Sequence, residues 1–277
     1  MKRHKRRLIT THVDLDGDRM MLSALEDMVA QINTRYLPMG IEHDPRIAPM
    51  GRLISAEIVA LDDGEFAVDG VLEMYEPDDH PPLSYEKEGF LLHTTPVANF
   101  ALQYDRGFQD DFDQGLITEL SKILAVQASP YIKKSLDPIS VLTIGGGFIL
   151  GAVASGFLNK LGSDAYSALK LKLKELFDHQ REQPGDSLLS IEATVESGGT
   201  RMVVVVLATN PTSGDIDQLL GDGLAQVDRI SRSLFDTASD IPKVVCFFQE
   251  GVVQPRFGVR RDCVPLHPVL PDDGNDN

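Results

Sequence analysis

Three stretches of this 277-residue chain carry side chains that could do chemistry. In the first, His43 stands beside Asp44 in the loop Ile41-Glu42-His43-Asp44-Pro45-Arg46-Ile47-Ala48-Pro49-Met50-Gly51-Arg52. An imidazole ionises near neutral pH and a neighbouring carboxylate can orient it, so His43 is a candidate general base; the bland reading is a solvated loop histidine. In the second, Asp14-Leu15-Asp16-Gly17-Asp18 crowds carboxylates ahead of a helix. A calcium loop of the EF-hand type needs Gly at its sixth position and Glu at its twelfth, whereas here Gly is fourth and Leu25 is twelfth, so a turn with Asp18 as helix cap accounts for the run. The third is Pro138 to Leu158, PISVLTIGGGFILGAVASGFL, 21 residues without a charge.

Composition limits what these residues can serve. Asp+Glu 42 against Lys+Arg 26 gives a formal charge of -16, which argues against sequence-independent binding of nucleic acid. Cys246 and Cys263 form no CxxC and no Cys/His cluster, so neither a disulfide scaffold nor a structural zinc site is expected. No cofactor motif and no metal site stand out. The basic start, Lys2 to Arg7, lacks the apolar h-region of a secretion signal and reads as a solvated or lipid-touching tail on a cytoplasmic first domain.

The elements that would position these residues follow from periodicity. Met21, Leu22, Leu25, Met28, Val29 and Ile32 form one stripe of an amphipathic helix. Leu53 to Leu61 and Phe66 to Tyr75 flank an Asp-Gly turn and predict a β-hairpin, with further strands at Phe90 to Thr95 and Asn99 to Tyr104. Helices are expected at 113–128 and 163–180. Gln183-Pro184-Gly185-Asp186 reads as a linker, followed by strand, strand, helix, strand, strand. The expected fold class is α+β, divided linearly into a β-rich domain at 1–135, a Gly-rich hydrophobic helix with an amphipathic helix at 136–182, a small ββαββ domain at 187–270 and an acidic tail at 271–277.

A 21-residue helix at about 1.5 Å per residue would span about 30 Å, the thickness of a bilayer's hydrocarbon layer. Lys133, Lys134 and Lys160 flank the run, and Gly147-x-x-x-Gly151 and Ala152-x-x-x-Gly156 have the small-xxx-small spacing through which membrane helices associate, which would place Gly147, Gly151 and Gly156 at the contact. The expectation is a transmembrane segment able to form a homo-oligomer, with an inner-membrane or cytoplasmic location; a buried helix or Gly-rich hairpin is the soluble alternative.

The run Asp14 to Asp18, the helix, the loop with His43-Asp44 and Pro49-Met50-Gly51-Arg52, the strand, Asp63-Gly64 and Phe66-Ala67-Val68-Asp69-Gly70 together resemble the first half of the prohead maturation proteases of tailed phages. The resemblance covers about residues 8–105. That family is similar in fold to the herpesvirus assemblins and pairs a serine nucleophile with a histidine base in a "His-Asp … Pro-x-Gly-Arg" segment, which implies His43 as the base. Its serine lies in a "Ser-Ile-Gly-aromatic" run whose analogue here is Phe100-Ala101-Leu102-Gln103-Tyr104, so alanine stands where the attacking hydroxyl would be. Thr94, Thr95 and Ser84 are the nearby substitutes. The resemblance therefore implies a degenerate protease fold kept as a sensing or scaffold module for a protein or peptide partner. Joined to a membrane segment, it would suit a self-associating effector of phage defence. The alternatives are an active serine- or threonine-type endopeptidase with His43 as base, and a soluble two-domain adaptor.

Overall fold

The computed structural model of the chain describes residues 1–13, 17, 19–40, 44–76, 81–90, 94–97, 99–105, 107–108, 110–131, 139–237 and 240–267. It is mixed α and β with two sheets. Two compact units divide it: Met1–Ile41 with Ile47–Leu91 and Val259–Leu266, and Glu42–Arg46 with Leu92–Gly258 and His267–Asn277. The units interleave along the sequence, unlike the linear division at 135 and 187 expected from composition.

In the first unit, β1 (Lys2–Thr10), β2 (Leu37–Met39), β3 (Gly51–Ala60) and β4 (Phe66–Met74) form an antiparallel sheet in the order β1-β4-β3-β2. The β3–β4 hairpin closes where the sequence places Asp63-Gly64, and Gly64 takes the positive φ, +85°, that the turn requires. Helix α1 (Leu22–Thr34) buries Leu25 and Ile32, members of its apolar stripe. Its N-cap is Met21, with no side-chain cap; Asp18 lies outside the described residues. The basic start is exposed, as a solvated start would be, but it forms an edge strand. Alternate residues of β1 meet acids of the sheet, Arg3 with Glu73 and Arg7 with Asp69 of the adjacent β4 and Lys5 with Glu57 of β3 beyond it, because the two-residue period of a strand puts all three on one face. A Lys/Arg-rich edge also discourages pairing with another chain.

The second unit contains β5 (Phe100–Tyr104), α2 (Asp111–Leu124), β6 (Ala128–Pro130), β7 (Ser140–Ile149), α3 (Val153–Leu161), α4 (Ser163–Gln180), β8 (Ser187–Ser197) and β9 (Thr200–Thr209). Helices α5 (Ser213–Gln218) and α6 (Leu224–Thr237), joined by a π turn at Leu219–Gly223, and strands β10 (Lys243–Gln249) and β11 (Val252–Val259) complete it. The strand order across its sheet is β11-β10-β9-β8-β7-β5-β6. The parallel pairs β5/β6, β7/β8 and β9/β10 are each bridged by helix, as parallel strands need long crossovers. Strand β9 reads Met202-Val203-Val204-Val205-Val206-Leu207-Ala208, all buried, the continuous apolar run of a strand covered on both faces. The expected strand–strand–helix–strand–strand order is present. Residues 183–186 are no boundary, however, since β8 pairs with β7 along its length and Asp186 receives hydrogen bonds from Arg46 and Asn210.

The uncharged run is not a transmembrane helix. Among the described residues no helix is long and apolar enough to cross a membrane, and residues 140–161 form strand β7, a turn and helix α3. The strand forms because three consecutive glycines are poor helix formers and because here a backbone has to approach closely. A Cβ on Gly147 would stand 2.2 Å from the Pro96 carbonyl oxygen and 2.4 Å from that of Thr95. Gly151 turns the chain at φ +80°, and Gly156 lies on α3 against the Phe148 ring. The three glycines of the expected association motif therefore occupy a strand, a turn and a helix, and share no helix face. Lys160, expected at a headgroup, donates to the Gly147 carbonyl and lies 4.2 Å from the Phe148 ring centroid. Helix α3 starts there because Asp228 of α6 accepts the N–H groups of Val153 and Ala154, two donors a first turn leaves unpaired.

Two glycine replacements test this packing with opposite signs. Gly147→Ala should destabilise the protein by about 1–3 kcal/mol, since backbone atoms cannot yield to the methyl. Gly115→Ala, on α2 with nothing within 4 Å of the new carbon, should stabilise it by about 0.5–1 kcal/mol. Urea midpoints of the two variants check both.

Candidate functional site

The Gly51-Arg52 pair, which contributes to the prohead-protease resemblance, begins β3 opposite Glu73 of β4. Gly51 is required: a Cβ there would stand 2.5 Å from the Glu73 carbonyl oxygen. Arg52 reaches Glu73 through Nε at 2.8 Å and Nη2 at 2.7 Å, and Asp262 through Nη1 at 3.2 Å. Its guanidinium also lies 4.4 Å from the Tyr36 ring centroid. Arg260 donates to both oxygens of Asp262, which also accepts the Ser84 N–H. Arg52, Glu73 and Asp262 are all buried. Burial alone would raise the Asp262 carboxyl, but Arg260, the Ser84 N–H and Arg52 outweigh it and hold it below the usual carboxylate range. Three guanidinium groups, those of Arg3, Arg52 and Arg260, meet the two carboxylates here. Gly51 and Arg52 are thus occupied in packing and ion pairing within the first unit.

The residues expected to carry hydrolysis are distributed as follows. His43 lies outside the described residues. Its neighbour Asp44 is buried and takes Arg46 on both carboxylate oxygens, while Arg46 also reaches Asp186 at 2.8 Å. Thr95 lies beside Ala101: the Thr95 Oγ1 and the Ala101 Cβ are 2.8 and 3.4 Å from where a Cβ of Gly145 would be. The Thr95 N–H donates to Thr194 Oγ1 at 3.0 Å. Thr94 and Thr95 are half-buried. Ser84 Oγ pairs with the Tyr36 hydroxyl at 2.6 Å. Among the described residues, no histidine is hydrogen-bonded to Thr94, Thr95 or Ser84. Cys246 and Cys263 are buried thiols; burial pushes Cys246 up to about 12 and Cys263 higher still, so neither is a ready thiolate.

Two arrangements escaped the sequence reading. At the end of β1, His12 Nδ1 lies 3.1 Å from Thr10 Oγ1 and His12 Nε2 lies 2.7 Å from Asp63 Oδ2, joining a hydroxyl, an imidazole and a carboxylate. The Thr10 hydroxyl also accepts the His12 N–H, so the same contacts close a turn, and the imidazole is 46% exposed, where water competes for its bonds.

The other arrangement joins α2 to α4. Asp110 caps α2, its Oδ1 accepting the Asp113 N–H at 2.7 Å. Its Oδ2 meets His179 Nε2 at 2.8 Å, and the Phe112 ring lies 4.7 Å from the imidazole. Asp113 is 1% exposed; Gln180 Nε2 donates to its Oδ2, and its Oδ1 has no partner. Burial, reinforced by Asp110, pushes the Asp113 carboxyl up to about 6. The hydrogen bond to Asp110 raises His179 above the ordinary imidazole value. A buried, half-satisfied carboxyl costs stability when ionised, which is the usual mark of a group retained for something other than packing. An acid on the stripe of Leu116, Ile117 and Leu120 was the available sequence signal.

Comparison of the chain with protein-family models, with curated proteins and with solved structures finds no match to any of them.

Replacing Arg52 tests the buried cluster. Arg52→Met should lower the free energy of unfolding by about 3–5 kcal/mol at pH 7, because it leaves buried carboxylates undercompensated. Arg52→Lys should recover little, since an ammonium cannot fork between Glu73 and Asp262 or lie flat on Tyr36. Asp262 has a lowered folded-state pKa, so its contribution is present above the ordinary carboxylate value and lost as pH falls through the folded value; the Met variant's deficit should shrink in acid. Guanidinium denaturation at pH 7 and at a pH well below the ordinary carboxylate value measures both effects.

Proposed function

We propose that the chain is a non-catalytic binding or scaffold protein, whose prohead-protease-like segment is retained for its fold and not for hydrolysis. The observation that carries this reading is Asp44. The carboxylate best placed in sequence to orient a His43 base is buried and saturated by Arg46, which is itself held by Asp186. Ala101 at the position of the family's serine agrees with it, as does the structural use of Gly51 and Arg52. On this reading the partner is a protein or peptide. The membrane-acting form of the idea falls with the helix on which it rested.

A second reading, a threonine-type endopeptidase, draws on the Thr10–His12–Asp63 chain and on Thr95 beside Ala101. A fluorophosphonate probe and a peptide-library cleavage assay on the full chain separate the two. No label and no cleavage are expected. Labelling or cleavage that disappears in His43→Ala, His12→Ala, Thr10→Ala or Thr95→Ala would replace the scaffold reading with the hydrolytic one.

A further inference from the structure

Among the described residues, one group of acidic and histidine side chains gathers possible ligand atoms from three residues: one atom each from Asp110, Asp113 and His179, all within 4.8 Å of one another. Clustered acids at a helix start are common without a ligand. What distinguishes this cluster is Asp113 Oδ1, an acceptor on a side chain 1% exposed, with no hydrogen-bond partner. Leaving such an atom unpaired costs about 1–3 kcal/mol, so native structures seldom keep one without use.

The other atoms of the cluster are already oriented. Gln180 holds Asp113 by Oδ2, and the Asp113 N–H holds Asp110 by Oδ1, while Asp110 Oδ2 meets His179 Nε2 and Asp113 Oδ1 keeps its acceptor capacity unused. Supporting hydrogen bonds of this kind are what fix ligands around a metal. The geometry points to a site for one divalent cation of the zinc class, bound by Asp110 Oδ2, Asp113 Oδ1 and His179 Nε2, with water in the remaining position on the exposed Asp110 side. An imidazole together with two carboxylates favours a first-row transition ion over magnesium or calcium, which prefer oxygen alone. Binding exchanges the His179–Asp110 hydrogen bond for two metal bonds and releases the proton between them. The ion would tie the first turn of α2 to the last turn of α4, two helices that carry much of the second unit's core through Leu116, Leu120, Leu173 and Leu176. The site is independent of the scaffold reading, which stands or falls by other residues.

The test uses the full chain stripped with a chelator and titrated with zinc, and separately with cobalt. One equivalent should bind, thermal unfolding should shift upward, and cobalt should show visible absorption from a low-symmetry site. Magnesium at a hundredfold excess should not displace either ion. Asp113→Asn preserves the shape and the bond from Gln180, and should lower zinc affinity by at least about a hundredfold; His179→Gln should do the same, and Gln180→Leu should cost about tenfold. If the wild type binds no zinc below about 1 mM, or if Asp113→Asn binds as the wild type does while keeping its circular dichroism, the site does not exist. In the latter case surface histidines such as His12 account for the uptake.

Discussion

The second unit is organised by a backbone lying where a side chain would otherwise be. Strand β7 pairs with β8 on one side and β5 on the other, and residues 95–97 pass close to it at Gly147. Three successive residues without side chains permit that approach. From this follow the crossover through α3 and α4 to β8, the placing of Phe148 among Phe157 and Lys160, and the reach of Asp228 to the start of α3. Glycine's conformational cost is the condition for the remaining contacts.

Charge has a comparable part in the first unit. Edge strand β1 is held by ion pairs whose basic members are exposed; Lys5–Glu57, exposed at both ends, is worth little by itself in water. The buried set of Arg52, Glu73, Asp262 and Arg260 is different in kind, because none of its members can be removed without stranding another. Gly51 and Arg52 are accounted for by packing and ion pairing.

Much of this was legible beforehand. The Asp-Gly turn with alternating apolar residues located the β3–β4 hairpin, and strong helical periodicity located α4 at Ser163–Gln180, with Lys243–Gln249 found equally well. The 138–158 run does not declare its structure, because absence of charge reports burial without reporting by what. A membrane helix and a strand–turn–helix inside a protein share it, and the three adjacent glycines were the better guide. The uninterrupted basic run Lys2 to Arg7 does not announce a strand, and its pairing is set by acids of β3 and β4 that lie far off in the sequence. Asp110 and His179 lie 69 residues apart, and no spacing rule joins them; the acid on the apolar stripe of α2 was the one trace in the sequence.

The account as a whole depends on the uncharged run being an interior strand and not a lipid-facing helix. Amide hydrogen exchange of the full chain in detergent-free buffer addresses this directly, residue by residue. Amides of 141–149 should be among the slowest in the protein, exchanging only with global unfolding, while those around Gly151 exchange faster. Rapid exchange throughout 141–149, slowed only when detergent or lipid is added, would contradict it.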